Sequence, residues 1–459
     1  MSAPTPTDTP NKQDLTHGDI LYHLRRLSLP MVMGIFAIVS TTLVDTYYIS
    51  LLGTDELAAI SFAFTISFAV FSLILGLGVG ASSVISRTIG SGDMQSVRRI
   101  TLHCLAAGGF FSVILTIIGL TFQDDVFRLM GAKDHILDLT LQYMDIWFYG
   151  IIFVTLPIIS NAIMRGAGDS FSPSLIMILA AFINLVLDPI LIFGYFGLPA
   201  MEMKGAALAS VIAYAVSMIP AIFLLIKPKK LLFHAAADWH LFFDSAYKFF
   251  AVGLPAGLAN MIQPLSNAVI VALLAVYSTE AVAGYGASVR IQSFVLIPIM
   301  ALTTGMTPIV GQNWGALNFE RVNETLSKSF WINIIWGGFI AVILALFSAE
   351  IAGIFSDDPD VIRVAQWYLW LLPITYIGAQ TVQLWCSAFN AAGYPIRAFV
   401  ILNSKILGLY IPAAFIGSYF GEVIGLFIGL AVANVTAGIG FHILNRRFTQ
   451  KKQEALLAA

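Results

Sequence analysis

Residues 175–196 read LIMILAAFINLVLDPILIFGYF, an apolar run whose length points to the architecture of the whole chain. An α-helix rises about 1.5 Å per residue, so about 20 residues cross the roughly 30 Å hydrocarbon core of a bilayer. Residues 102–122 and 205–226 form runs of the same kind. Membrane β-barrels use segments of about ten residues with alternating polarity, and the sequence shows none. The chain is therefore predicted to be an all-α integral membrane protein.

The overall composition supports this prediction. Of the 459 residues, 58% are hydrophobic and only 11% are charged, and the mean hydropathy is +0.85. Soluble domains carry about 25% charged residues, so the polar residues here are too few to cover a soluble body. The net charge of −2 offers no basic surface for nucleic acid. No nucleophile with a base, and no set of metal ligands, converges at one depth, so neither an enzyme nor a bound cofactor is expected.

Twelve membrane-spanning helices are predicted, with approximate bounds 27–51, 58–85, 98–122, 139–161, 173–197, 204–226, 247–277, 282–310, 325–349, 363–390, 396–417 and 423–445. The side that holds the N-terminus carries 18 of the 24 Lys and Arg residues in its loops and tails, and the other side carries 4. The positive-inside rule then puts both termini in the cytoplasm. The first apolar segment has no cleavage pattern and is expected to be retained. The expected location is a bacterial inner membrane.

These spans predict a division of the chain into five parts. A cytoplasmic arm (1–26), whose first 18 residues are polar and expected to be disordered, precedes a first lobe (27–226). A basic cytoplasmic linker (227–246) leads to a second lobe (247–445), and a cytoplasmic tail (446–459) ends the chain. One copy holds both lobes, and we expect a monomer in the lipid bilayer.

The two lobes repeat each other weakly, with one constant offset between matching positions. Four landmarks share this offset: Leu29-Pro30 with Leu254-Pro255, Thr54-Asp55 with Thr279-Glu280, Gly90 with Gly315, and Gly168 with Gly393. Because each lobe has six helices and both enter from the same side, the repeats are parallel and related by an axis along the membrane normal. Such an arrangement places a cavity between the lobes and permits alternating access, which indicates a transporter.

Several motifs in these helices resemble the multidrug and toxic compound extrusion (MATE) family, in particular the prokaryotic branch related to DNA-damage-inducible protein F. The motifs are Leu43–Thr46 (LVDT), Asn184–Pro189 (NLVLDP), Arg165–Asp169 (RGAGD) and Gly205–Ser210 (GAALAS). The resemblance covers the whole chain and implies a V-shaped, cation-coupled exporter of amphipathic, often cationic drugs and dyes. It also implies that the first lobe holds the ion-coupling carboxylates, that helix 1 bends at Pro30, and that Asn161 and Met177 line the drug cavity.

Asp45 and Asp188 are the two acidic residues that lie deep in predicted spans. A charge at that depth costs at least about 2.5–3.5 kcal/mol, so it persists when it is paired or functional. Both lie in the outer half of the membrane at nearly the same level, and Asn184 shares the helix face of Asp188. Two carboxylates in a low-dielectric site repel each other, so the pair could hold a proton. It could instead hold Na⁺ if Asn184, Ser210 and backbone carbonyls complete an oxygen shell; the remaining alternative is a purely structural role in packing.

Two more polar residues are candidates for the cavity wall. Asp145 lies near the outer end of the fourth span, where an interfacial acid is the favoured interpretation, and Thr41 lies one turn below Asp45. The second lobe has no deep acid at the position that matches Asp45, because residue 270 is Ile, and this puts all ion coupling on the first lobe.

Two other functions remain open at this stage. Proton coupling is favoured over Na⁺ coupling, but the sequence does not decide between them. A flippase for lipid-linked oligosaccharides would share a related architecture and would need cations in its cavity. Arg290 and Lys405, which fall inside spans of the second lobe, are the only support for it, and a structural role is favoured for both.

Overall fold

The protein is helical throughout the part described by the computed structural model, which comprises residues 14–227, 231–232 and 238–458. The first half of the chain contains α1 (Ile20–Ser50), α2 (Thr54–Gly90), α3 (Met94–Leu129), α4 (Asp134–Gly166), α5 (Phe171–Phe193) and α6 (Glu202–Ile226). The second half contains α7 (Phe242–Ala275), α8 (Thr279–Val295), α9 (Ile297–Gly315), α10 (Phe319–Leu346), α11 (Ser348–Gly353), α12 (Pro359–Leu371), α13 (Tyr376–Ala392), α14 (Pro395–Lys405) and α15 (Ile411–Ala458).

Most of these helices are long and apolar enough to cross a membrane. By length and composition, nine helical runs among the described residues qualify, or ten if α8 and α9, which meet at 43°, count as one span. One of the nine is the 62-residue run Pro395–Leu456, which joins α14 to α15 through a π-helical turn. A straight helix of that length would measure about 93 Å, three times the hydrocarbon thickness.

This long run is a helical hairpin. Gly421 (φ −152°, ψ 27°) and Glu422 (φ 50°, ψ −134°) leave the helical conformation in the middle of it. Gly417 then packs against the Gly425 carbonyl and Gly429 against the Ala413 carbonyl, an antiparallel register. Counting its two arms separately, and α12 with α13 as one span broken at residues 373–375, the described helices account for the twelve predicted spans.

The helix bounds repeat at the offset predicted from the sequence, the one that carries Gly90 onto Gly315. The pair α8–α9 begins and ends at Thr279 and Gly315, which match the two ends of α2. At the same offset, the first residues of α10 and α12 match those of α3 and α4, and the last residue of α7 matches that of α1. The all-α architecture with two related halves is therefore confirmed.

The two halves touch through glycines on α2 and α7. A Cβ atom at Gly80 would come within 2.9 Å of the amide nitrogen of Gly253, and one at Gly257 within 2.8 Å of Leu73 Cα. The two backbones are thus in direct contact, which only residues without side chains permit.

Further contacts between the halves gather at the end of the bundle where α1 begins and α15 ends, here called the terminal end. Ser83 on α2 donates to the carbonyl of Asn390 on α13. Gln312 on α9, which is fully buried, donates from Nε2 to the carbonyl of Gly166 on α4 at 3.1 Å. A Cβ atom at Gly305 on α9 would come within 3.0 Å of the Ser28 backbone on α1. The two halves are therefore closed against each other and hydrogen-bonded at the terminal end.

The segment that precedes α1 is ordered from residue 14 onward, which corrects the expectation of a disordered arm through residue 18. Leu15 is fully buried, and its amide donates to Gln312 Oε1 at 3.0 Å while its carbonyl accepts from Asn313 Nδ2 at 3.0 Å. Arg321 Nη1 donates to the carbonyl of Gly18 at 2.8 Å. One apolar side chain and these backbone bonds fix a segment whose polar composition suggested disorder; residues 1–13 lie outside the described part of the chain.

Candidate functional site

The two predicted carboxylates meet inside the first half. The side chains of Asp45, on α1, and Asp188, on α5, lie next to each other. Two adjacent carboxylates repel each other, so the pair is suited to bind a proton or a cation. Asp188 is only 1% exposed, and one oxygen of each acid has no hydrogen-bond donor among the described residues.

Asn184 and Ser210 complete the cluster on the Asp188 side. Asn184 lies one helical turn before Asp188 on α5, and its Nδ2 donates to Asp188 Oδ1 at 3.2 Å. The same amide nitrogen donates to the hydroxyl of Ser210, on α6, at 3.3 Å. The four predicted ion-coupling residues are thus in one place, contributed by α1, α5 and α6.

Two tyrosines that the sequence analysis did not single out also lie near the pair. Tyr143 on α4 lies close enough to interact with the charges of both aspartates, and Tyr214 on α6 with that of Asp45. A phenol can donate or accept a hydrogen bond, so both are suited to a site that exchanges a proton. In a sequence without alignment, a tyrosine in an apolar helix gives no signal that separates it from ordinary core residues.

A cavity of about 190 Å³ lies nearer the terminal end than the carboxylate pair, within the first half. Its wall is mostly apolar and contains two of the four predicted cavity residues, Asn161 and Met177, whereas Asp145 and Thr41 are not among its lining residues. Asn161 is 7% exposed, and its Oδ1 has no hydrogen-bond partner in the described part of the chain. The other lining residues are Met31, Ile35, Ile38, Phe71, Leu75, Pro157, Ile158, Arg165, Ile176, Ala180, Tyr214, Ser217 and, from α9 of the second half, Thr304.

Helical spacing connects this cavity to the carboxylate pair. On α5, Met177 and Ala180 line the cavity, and Asn184 and Asp188 follow at intervals of four residues on the same face. On α6, Ser217 and Tyr214 line it, and Ser210, which bonds to Asn184, is one turn further. The helices that carry the pair therefore also form the cavity wall.

Pro30 lies near the terminal end of α1, which is a continuous helix from Ile20 to Ser50. Its carbonyl accepts a hydrogen bond from the hydroxyl of Ser174 on α5. Since proline has no N–H, the carbonyl of Arg26 lacks its helical partner, which weakens α1 at this turn. One turn further, a Cβ atom at Gly34 would touch Ser174 and the Met177 sulfur at 3.2–3.3 Å, so α1 packs closely on the cavity-lining face of α5.

The remaining candidates lie outside this cluster. Thr41 lies one turn from Asp45, and its hydroxyl donates to the Ala37 carbonyl within α1 at 2.9 Å. Asp145 is exposed and accepts a hydrogen bond from Gln123 on α3 at 2.5 Å, away from the cavity. Arg290 is exposed on α8, and Lys405 ends α14 near Cys386. Neither cation lines the cavity of the first half.

Comparisons with known proteins agree with this architecture. The MatE family model matches residues 30–190 and 255–416, one stretch in each half. An "FAD transporter" of Shewanella oneidensis is 36% identical over 93% of this chain and 94% of its own length. The "probable multidrug resistance protein YoeA" of Bacillus subtilis is 27% identical over 83% of this chain and 84% of its own length. A solved outward-facing multidrug resistance MATE family transporter shares the fold with a TM-score of 0.91 and 24% identity, covering 98% of this chain and all of that one.

Proposed function

Because the chain belongs to the MATE family of membrane transporters, and is therefore not an enzyme, we propose that it is an ion-coupled exporter of amphipathic compounds. The observation that carries the proposal is the contact between Asp45 and Asp188 on the same helices that form an apolar cavity. Uncompensated acids in a membrane interior are costly, so a pair of them beside a cavity is expected to bind the coupling ion.

We infer that the coupling ion is a proton. Two carboxyl groups in direct contact share a proton more readily than they share a metal ion, since a cation would need an oxygen shell around it. Asn184 turns its amide nitrogen toward Asp188, so its amide oxygen, the atom that would bind Na⁺, does not face this acid. Na⁺ coupling through Asp45, Asp188 and Asn184 is the alternative, and the experiment below distinguishes the two.

The proposed transport cycle starts from the conformation seen here, which is closed at the terminal end. With both termini in the cytoplasm of a bacterium, as the distribution of Lys and Arg predicts, the firm contacts at the terminal end would seal the inner side and leave the protein facing outward. Protonation of the pair from outside removes its charge, α1 bends at Pro30, and the shrinking cavity around Asn161 and Met177 releases its compound outward. The return to the inward-facing state would break the contacts of Gln312 and Ser83.

The proposed organisation follows the sequence analysis. A first lobe (27–226) carries the ion site, a linker (227–246) joins it to a second lobe (247–445), and a tail (446–459) remains in the cytoplasm. We propose that a single copy is functional, and that within the family the chain belongs with the branch related to DNA-damage-inducible protein F because of the motifs around Asp45 and Asp188.

The test is ethidium transport in proteoliposomes, driven separately by a pH gradient and by a Na⁺ gradient. Transport that follows the pH gradient, ignores Na⁺ and is lost in Asp45→Asn is the expected result. Asp145→Asn is the matched control, because it removes the same charge from an exposed acid outside the cluster. Transport driven only by the Na⁺ gradient would mean that Na⁺, and not a proton, is the coupling ion. Equal loss of transport in Asp45→Asn and Asp145→Asn would mean that the pair has no special role.

A second candidate is the export of flavin adenine dinucleotide. It is favoured by the 36% identity to an FAD transporter over nearly the full length of both chains. The same proteoliposomes with FAD in place of ethidium test it directly. Transport of FAD that depends on Asp45, together with weak transport of ethidium, would favour this candidate over a broad drug exporter.

A further inference from the structure

A second cavity, of about 90 Å³, lies in the second half of the protein. It is bordered by α7, α13 and α14, with Val79 of α2 and Thr307 of α9 at its edge. A water molecule needs only about 10–15 Å³ of such space, so the cavity can hold a small chemical group. This second cavity is separate from the ion site and from the first cavity.

This cavity is the repeat counterpart of the first. Seven of its lining positions match lining positions of the first cavity at the offset that relates the two halves: Ala256 with Met31, Asn260 with Ile35, Thr304 with Val79, Gln383 with Ile158, Cys386 with Asn161, Asn390 with Arg165, and Leu402 with Met177. Within one of these pairs, Val79 of the first half lines the second cavity, and Thr304 of the second half lines the first cavity. The two cavities therefore occupy equivalent places in the two repeats.

The chemistry of the two walls differs at these equivalent positions. Two isoleucines of the first cavity, Ile35 and Ile158, are replaced by Asn260 and Gln383, while the charge of Arg165 is replaced by the amide of Asn390. No acidic, lysine or arginine side chain is among the described lining residues. The second wall thus has three amide side chains and no charged one.

Several of these polar groups have no partner in the protein. The side chains of Asn260, Gln383 and Ser387 are half-buried and make no hydrogen bond to any described residue, and Asn390 Oδ1 is buried without a partner. Asn390 Oδ1 is thus costly to leave unpaired, and the three half-buried side chains beside it are free to bind a ligand, so the cavity is suited to a polar ligand.

The two cavities lie side by side. On α2, Leu75 lines the first and Val79 the second; on α9, Thr304 lines the first and Thr307 the second. Residues three or four apart are neighbours on a helix, so about one helical turn separates the two cavities. One elongated compound can therefore reach both.

We propose that the second cavity binds an uncharged, hydroxyl- or amide-bearing part of the transported compound, whose aromatic part occupies the first cavity. Gln383 and Asn260 are the residues that recognise this polar part. The inference rests on the proposed export function, and it narrows the substrate class to compounds that join an aromatic ring to an uncharged polar chain. It would leave purely apolar dyes bound by the first cavity alone.

Riboflavin and lumichrome form a suitable pair of probes, since they share a tricyclic ring and only riboflavin carries a polyhydroxylated chain. Binding to the purified protein in nanodiscs, without any ion gradient, is measured by the fluorescence of each compound. We expect riboflavin to bind about tenfold more tightly than lumichrome, and Gln383→Leu to remove that difference while leaving lumichrome affinity within about twofold. Gln142→Leu, on α4 outside both cavities, is the matched control and should keep the full difference.

Equal affinities for riboflavin and lumichrome in the unmodified protein would overturn the proposal, as would an undiminished preference in both Gln383→Leu and Asn260→Leu. A result in which Gln142→Leu abolishes the preference as fully as Gln383→Leu would also overturn it. Because binding is measured without a gradient, Asp45→Asn should still prefer riboflavin. Failure of ion coupling would therefore appear as lost transport with the riboflavin preference intact, and is distinguishable from failure of this inference.

Discussion

Replacing Gln312 with alanine should weaken the closure of the terminal end. The Gln312 side chain connects α9 to α4 and to the segment that precedes α1. It donates to the carbonyl of Gly166 at 3.1 Å and accepts from the amide of Leu15 at 3.0 Å. Both bonds must break when the halves separate at this end. The substitution therefore destabilises the closed state selectively, since the open state never contains these bonds.

The size of the effect follows from the two lost bonds. A buried hydrogen bond contributes a net of about 0.5–1.5 kcal/mol, so two contribute about 1–3 kcal/mol, a factor of roughly 5–150 in the ratio of closed to open protein. If about 1% of the protein is open at the terminal end, a population typical of minor states, the variant should raise this to between about 5% and 60%.

Spin labels at Ser91 and Ala316 would report the change. These exposed positions are related by the repeat, follow the ends of α2 and α9, and lie on opposite halves of the terminal end. Double electron–electron resonance should give one short distance between the two labels in the parent protein, and a second, longer distance in Gln312→Ala. Gln95→Ala removes an exposed glutamine at the same end and should change nothing. An unchanged distance distribution in Gln312→Ala would refute the reasoning.

Three further predictions follow from the contacts described above. Pro30→Ala restores a helical N–H, so it should stiffen α1 and lower ethidium transport several-fold at unchanged expression; equal losses of transport and expression would indicate a folding role instead. Gly80→Val forces a side chain into the α2–α7 contact and should cost about 1–3 kcal/mol of stability, seen as a lower melting temperature. Gly286→Val should be nearly neutral, because no other described part of the chain lies within 4 Å of its Cβ position. The amide of Tyr22 donates to the Asp19 carboxylate at 2.7 Å and holds the pKa of that carboxyl below its ordinary value. Its stabilising contribution is thus complete above about pH 4 and lost as the pH falls further, so the melting temperature of the parent protein should drop more steeply on acidification than that of Asp19→Asn.

The sequence predicted the helical architecture well because hydrophobic length and the repeat are properties of long stretches. The repeat offset, taken from landmarks such as Gly90 and Gly315, reappears in the helix bounds. The breaks within spans were not predicted, since the bend between α8 and α9 and the turn at Gly421 depend on local packing that leaves little trace in composition.

Part of the candidate site could also be predicted from the sequence, but for a different reason. A charged residue in an apolar run is conspicuous, so Asp45 and Asp188 could be found, and helix geometry placed Asn184 beside Asp188. Tyr143, Tyr214 and the polar wall around Gln383 were missed because uncharged side chains in such runs are common and their convergence is a property of the tertiary structure. The ordered segment at Leu15 was missed because one apolar residue anchors it.

The glycine contact between α2 and α7 also has a mechanical consequence. Because α2 and α7 touch over a short length, one helix can rotate relative to the other about this contact. Sliding of one helix along the other would instead bring side chains into collision with the backbone. The middle of the Gly76–Gly80 contact lies roughly 18 Å from the end of α2 at Gly90 and roughly 36 Å from its beginning at Thr54. With arms in a ratio of about one to two, a gap of a few ångströms at the short end corresponds to a swing about twice as large at the long end.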